Sequence, residues 1–388
     1  MGVLCMYKYG GRAVLTKFSV ENYKSFNQKI TLDLTKAHDY DFNREAVKDG
    51  IVKNAVIFGQ NGCGKSNFSL ALFDIVIMLT DKNCDIHQLD EHSFLNFDSS
   101  KRYATFSYEF RFMGKSVKYE YCKSSPKVLT REELSVDGEV IFRCNTSQKI
   151  FEVFDLEKSG YSTFNYDNYA FDLPFLRYLR TNTSHKEDSV IKFLFEFVNK
   201  MLWFRSLQDN SYVGVKNGVE FIIPWIIEHG YIKEFEQFLA DVGGLDLTLE
   251  VATMNEALQQ KTLILLNKAK TKALSFDMVK SSGTNALLIL FYWYKQLNDV
   301  SFIFIDEFDA FYHFELSEKV VELFKKLQDV QAIFTSHNTY LSSNNILRPD
   351  CYYTLSSGTI KSYCERTGRE LREGHNLEKL LRSGEFNG

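Results

Sequence analysis

Apolar side chains alternate with polar ones in Ala13–Val20 and again in Lys29–Leu34, on either side of the turn-like stretch Asn22–Asn27, and this period predicts two strands of a hairpin. Val52–Phe58 is a compact apolar run, which predicts a buried strand. It leads into the glycine-rich segment Gly59–Ser66 and then Asn67–Leu79, where Phe68, Ala71, Leu72, Ile75 and Leu79 recur at helical spacing. From about residue 100 to 180 the pattern is again of period two, through Tyr103, Thr105, Phe106, Tyr108, Phe110 and Phe112, then Val117, Tyr119 and Tyr121. This predicts antiparallel strands whose aromatic residues serve sheet packing. Residues 186–242 change period: Val190, Phe193, Leu194, Phe197, Val198 and Met201, then Ile226, Ile227, Ile232, Phe235 and Leu239, predict a helical subdomain closed by Gly243-Gly244. Strand patterning returns in Leu245–Val251, Thr262–Leu266 and Ala273–Val279. After it come helix Asn285–Leu297, strand Ser301–Ile305, helix Phe314–Leu327, strand Ala332–Thr335 and strands near Cys351–Leu355 and Thr359–Tyr363. The reading is therefore an α/β protein.

The 388 residues allow two domains or one large α/β unit with an insertion. With 45% apolar and 25% charged residues, global disorder is excluded. Lys and Arg number 46 against 50 Asp and Glu, a net charge of −4, so a broadly basic nucleic-acid-binding surface is not indicated, although a local patch is compatible with that sum. Cys5, Cys63, Cys84, Cys122, Cys144, Cys351 and Cys364 are scattered without a C-x-x-C pair, which predicts reduced thiols and a cytoplasmic protein rather than a zinc site or disulfide framework. The longest apolar runs, Phe221–Ile227 and Ala286–Tyr294, fall short of a bilayer span, so no membrane is expected.

Four short segments carry chemistry. Gly59–Ser66 matches G-x-x-x-x-G-K-[ST] between a predicted strand and helix, the context in which backbone N–H groups of the loop encircle phosphates. In that reading Gly59, Asn61, Gly62, Cys63, Gly64, Lys65, Ser66 and Asn67 bind a nucleotide, with Lys65 on its β- and γ-phosphates and the Ser66 hydroxyl on Mg²⁺. Phe302–Ile305 is an apolar strand ending in Asp306 and Glu307, which places one carboxylate at the metal and the other beside an attacking water. Ala332–Ser336 likewise delivers His337, suited to bonding the γ-phosphate and the water. Ser281-Ser282-Gly283-Thr284 opens a helix and offers a second anion cradle. Two phosphate-binding elements in one chain fit a nucleotide held between two copies of it.

The order of these segments resembles the ABC-type ATPase superfamily, in its SMC-like and OLD-like branch. Lys17–Phe26 resembles the opening strand and turn, Asn54–Asn67 the phosphate loop, Ser282–Asn338 the signature-to-switch segment, and Leu371–Leu380 the closing segment of small bacterial AAA-type ATP-binding proteins. The resemblance implies an ATPase head with an antiparallel β-subdomain and a helical insertion. Residues 1–185 would form an N-terminal lobe, 186–244 the insertion and 245–388 the C-terminal lobe. It also implies that Lys65, Ser66 and Asp306 bind MgATP, that Glu307 is the catalytic base and His337 the switch histidine, and that Ser282 and Gly283 act in trans across a homodimer or larger homo-oligomer. Asp309 falls in the dimer-crossing loop, and Gln88 is the nearest match to the family's Q-loop glutamine. The signature here is Ser-Ser-Gly-Thr rather than Leu-Ser-Gly-Gly-Gln, and Asn338 stands where a carboxylate is common.

OLD-like nucleases carry a TOPRIM domain after the ATPase, and about 50 residues after His337 are too few for one. The resemblance thus implies an ATP-driven sensor or scaffold that controls a separate effector, a nuclease or toxin, in bacterial anti-phage defence. The alternatives are a DNA repair or recombination ATPase that clamps DNA, and a nucleotide-gated binding module with negligible turnover. A GTPase is disfavoured because Asn267-Lys268-Ala269-Lys270 lacks the guanine-reading aspartate. A transporter subunit is disfavoured because no membrane segment is present.

Overall fold

A computed structural model describes residues 13–80, 93–155, 169–182, 189–205, 211–214, 222–255, 260–310, 314–327, 329–356 and 358–386. Gln88, Cys5 and Cys84 lie outside the described residues.

The chain opens with hairpin strands β1 (Val14–Glu21) and β2 (Ile30–Asp33), then β3 (Val47–Lys48), β4 (Ile51–Val52) and β5 (Asn54–Phe58). Helices α1 (Lys65–Leu72) and α2 (Asp74–Leu79) follow, and then five strands: β6 (Ala104–Phe112), β7 (Lys115–Ser125), β8 (Val128–Val136), β9 (Glu139–Asn145) and β10 (Ile150–Phe154). Next come α3 (Phe175–Asn182), α4 (Val190–Asn199), β11 (Met201–Arg205), β12 (Ser211–Gly214), α5 (Ile222–Glu228) and α6 (Ile232–Asp241). A three-stranded sheet of β13 (Thr248–Asn255), β14 (Gln260–Leu266) and β15 (Ala273–Ser275) precedes α7 (Phe276–Val279) and α8 (Ser282–Lys295). The chain closes through β16 (Phe302–Asp306), α9 (Phe314–Lys326), β17 (Gln331–Ser336), β18 (Tyr352–Ser356), β19 (Thr359–Ser362), α10 (Tyr363–Arg366) and α11 (Leu377–Arg382).

Two seven-stranded sheets dominate. One is antiparallel, in the order β10-β9-β8-β7-β6-β1-β2. The other runs β12-β11-β16-β17-β5-β18-β19, and its five inner strands are parallel. Parallel strands are covered on both faces, so they read as unbroken apolar runs; β5, β16 and β17 are buried at every position.

The aromatic wealth of the antiparallel sheet is core. Phe18 on β1 meets Phe68 of α1 edge-on at 5.3 Å and Tyr108 of β6 at 4.8 Å, and the Tyr108 hydroxyl donates to the Ala71 carbonyl at 2.8 Å. Beneath this layer Asp74, the first residue of α2, accepts from Lys123 Nζ and from the Tyr121 hydroxyl, both at 2.8 Å, with the ion pair only 1% exposed on either side. The sheets are also tied by Gln331. A register shift between Leu15 and Lys17 interrupts the β1–β6 ladder, and the Gln331 amide accepts from Leu15 N–H at 3.1 Å and donates to Leu15 O at 3.0 Å and Val52 O at 3.1 Å.

Several expected elements differ. Residues 186–244 are not wholly helical, because β11 enters the main sheet beside β16. Met201–Arg205 is buried at all five positions, and such a run carries no period that separates strand from helix. The expected helix 67–79 breaks at Phe73 into α1 and α2. Strand 273–279 stops at Ser275 and turns into α7. Within the stretch read as strands, α3 forms because Glu132 of β8 reaches its free first turn: the carboxylate accepts from Phe175 N–H at 2.6 Å and Leu176 N–H at 3.0 Å. Glu132 also accepts from the Tyr119 hydroxyl at 2.9 Å, yet burial pushes its pKa up to about 7.

Candidate functional site

The parallel strands deliver their carboxyl ends to one edge of the sheet, where ligands of open α/β sheets bind. Phe58 leads there into Gly59, Asp306 into Glu307, and Ser336 into His337, while Arg205 ends β11 in register with Asp306.

The loop Gly59–Ser66 owes its shape to two glycines. Gly64 caps α1 with φ +105°, and a Cβ there would lie 2.8 Å from Ser25 Oγ and 2.9 Å from Phe26 Cζ. A Cβ on Gly59 would fall 2.6 Å from Cys63 Sγ and 3.1 Å from Leu355 O. Asn67 donates to Ser25 Oγ at 2.9 Å, so the β1–β2 turn is fastened against this helix. Gly62 also has positive φ, and Asn61 and Ser66 are exposed.

Lys65 begins α1 and is buried. Its ammonium donates to Gly59 O at 3.0 Å and lies 2.7 Å from His337 Nε2. Burial pushes its pKa down, against the opposing pull of Cys63, Glu307, Asp306 and Asp309. His337 Nε2 is also 3.3 Å from Glu307 Oε1. One nitrogen can accept from the ammonium or donate to the carboxylate, but not both at once, so the imidazole links the loop lysine to the carboxylate in two alternative ways.

Thr335 organises the carboxylates. Its hydroxyl donates to Asp306 Oδ1 at 2.6 Å and accepts the Glu307 N–H at 2.7 Å. Glu307 is held at φ +48°, a left-handed conformation that is costly for a residue with a side chain. The turn it starts is closed by Ala310 N–H to Glu307 O at 3.0 Å. Asp306 is buried, with Ser69 Oγ 3.5 Å from its second oxygen; burial raises its pKa against the Thr335 bond and the charges of Lys65 and Arg205. Burial likewise raises Asp309. The Ser66 hydroxyl and the Asp306 carboxylate are hard oxygen donors, a set that suits Mg²⁺.

Lys65, Asp306, Glu307 and His337 thus meet at one point. Ser282 and Gly283 do not join them within the chain: among the described residues no hydrogen bond connects them to the loop. They are the first residues of α8, whose cap is Ser281, its Oγ accepting from Thr284 N–H at 3.1 Å. Sequence reasoning missed Thr335, Ser69 and Arg205. Thr335 and Arg205 carried one faint signal, a polar residue at the end of an apolar strand.

The profile of the family described as "AAA domain, putative AbiEii toxin, Type IV TA system" matches residues 55–343. No curated protein matches the chain. Among solved structures, an SMC head bound to the C-winged helix domain of ScpA is 14% identical, with 90% of this chain and 96% of that one covered and a TM-score of 0.45. The SMC head domain from Thermotoga maritima is also 14% identical, covering 90% and 97% at a TM-score of 0.42. An SMC head with an extended coiled coil, bound to the C-terminal domain of ScpA derived from Pyrococcus furiosus, is 14% identical, covering 96% and 98% at 0.44.

Proposed function

The chain belongs to the AAA domain family of the AbiEii type, and on that premise we propose that it binds and hydrolyses MgATP in the cytoplasm as a homodimer and gates a separate effector, a nuclease or toxin, in anti-phage defence. The observation that carries the reading is the meeting of Lys65, His337 and Glu307 within 3.3 Å at the carboxyl edge of the parallel sheet. The family description names a toxin and its TA system, which supports a module with a second component.

The residues divide the work. Backbone N–H groups of Gly62–Ser66 and the Lys65 ammonium would hold the phosphates, and Ser66 and Asp306 would hold Mg²⁺, which supplies charge neutralisation at the terminal phosphate. Glu307 takes the proton of the attacking water. Its position is fixed from behind by Thr335, through the backbone rather than the carboxylate, so the side chain stays available. Once the phosphates draw the Lys65 ammonium, His337 Nε2 is released to donate toward the Glu307 carboxylate or the γ-phosphate, which makes the imidazole a reporter of the bound nucleotide. Ser282 and Gly283, at the start of α8, would complete the site from the second copy.

Co-expression with the neighbouring genes tests the effector part. A nuclease or toxin retained on the tagged chain with ATP and released with ADP, or the reverse, supports it. A chain that hydrolyses ATP but retains neither in either state contradicts it.

A further inference from the structure

Strands β16 and β17 pair in register as far as Ile305 and Phe334, and just beyond that point a side chain takes over from the ladder. The Glu307 N–H donates to Thr335 Oγ1 at 2.7 Å, and the Phe308 N–H donates to the Thr335 carbonyl at 3.2 Å. The same Oγ1 donates to Asp306 Oδ1 at 2.6 Å. Three consecutive residues thus hang on one, which is 1% exposed and stands in register with Ile57 of β5 on its other side. The polarity of the arrangement is fixed. An amide can only donate, so the hydroxyl oxygen accepts from Glu307 and its single proton is left for Asp306.

Glu307 is the residue that needs holding. Its φ of +48° is costly for a residue with a side chain and persists only where the surroundings over-determine it. Phe308 anchors one side of the turn, being 1% exposed with its ring 4.9 Å from that of Phe334. Thr335 Oγ1 anchors the other. Without that oxygen the Glu307 N–H loses its acceptor and the buried Asp306 oxygen loses a donor, so the carboxylate of Glu307 is no longer held in one place. The backbone pairing of β16 with β17 does not pass through the hydroxyl and survives its loss.

We propose that Thr335 is a positioning residue that sets the lifetime of the ATP-bound state: one hydroxyl ties Asp306 to the backbone of Glu307 and keeps the base aimed, without itself contributing to the grip on nucleotide. The proposal rests on the ATP-hydrolysing reading above. It separates turnover from binding at a residue that carries no charge.

The test compares wild type, Thr335→Val, Thr335→Ser and Thr335→Ala in the full chain, by phosphate release, by titration with the slowly hydrolysed ATPγS and by amide hydrogen exchange across residues 306–310. Valine keeps the shape and removes the hydroxyl; its kcat is expected to fall by about 10- to 100-fold, the cost of a misplaced catalytic group, with ATPγS affinity within about threefold of wild type. Exchange across 306–310 quickens in the same variant. Serine restores the hydroxyl and brings kcat back to within about threefold and exchange to the wild-type rate. Should valine fail to fold, the alanine and serine variants carry the comparison, since they differ from each other only in the hydroxyl. Wild-type turnover in the valine variant, equal losses of turnover and affinity, or a serine variant as impaired as alanine overturns the proposal. Wild type that binds no ATPγS and releases no phosphate overturns the ATP reading instead, and the role in turnover with it.

Discussion

Replacing Glu307 by glutamine is expected to lower ATP turnover by about 10²- to 10⁴-fold while leaving ATP affinity within a few-fold of wild type. The expectation follows from what the residue touches. Its backbone N–H is bound to Thr335 Oγ1 and its backbone is fixed at φ +48°, so the substitution keeps the turn and the shape and removes only the proton acceptor. The 3.3 Å approach of His337 is retained with a neutral amide in place of the carboxylate. Steady-state phosphate release together with ATPγS binding measures both quantities. Turnover within about threefold of wild type would remove Glu307 from the role of base.

The second large effect lies outside the crevice. Lys123→Met is expected to destabilise the chain by about 3–5 kcal/mol, the cost of leaving a buried partner charge uncompensated. Asp74 is 1% exposed and its other oxygen is already taken by Tyr121, so no solvent reaches it when the ammonium is gone. The double variant Asp74→Leu/Lys123→Met recovers most of the loss, because well-packed apolar groups replace a buried pair at little net cost. Because Asp74 starts α2, two residues after α1 ends, the single variant is also expected to loosen α1 and, on the proposed reading, to lower nucleotide affinity. Chemical denaturation followed by intrinsic fluorescence reads the first effect. A single variant as stable as wild type would show the pair to be dispensable.

How much of this was legible in the sequence depends on whether a feature is local. Gly59–Ser66, Asp306-Glu307 and His337 each lie at the end of an apolar run, so strand, turn and chemistry stand side by side in the chain. The alternation through Phe106, Tyr108, Phe110 and Phe112 likewise announced the antiparallel sheet, since a strand with one covered face keeps period two. Features made by distant pairing left no such trace. Glu132 caps a helix 43 residues away, Gln331 repairs a register shift 316 residues away, and β11 joins the main sheet through a run buried on both faces. Thr335 was visible as a strand residue, but its bonds to Asp306 and Glu307 exist only because β16 and β17 lie in parallel register. The cap of α8 is Ser281: serines stand at both 281 and 282, and only the fold decides which one turns its hydroxyl onto Thr284.

The central claim is that a triphosphate is gripped between two copies of the chain, by the Lys65 loop of one and the α8 start of the other. The most direct measurement is the solution mass of Glu307→Gln, by light scattering, with MgATP, with MgADP and without nucleotide. The account predicts a doubling of mass with MgATP alone, lost when Lys65→Ala or Ser282→Arg is added. A mass that stays monomeric at saturating MgATP, or a dimer indifferent to both added substitutions, would contradict it.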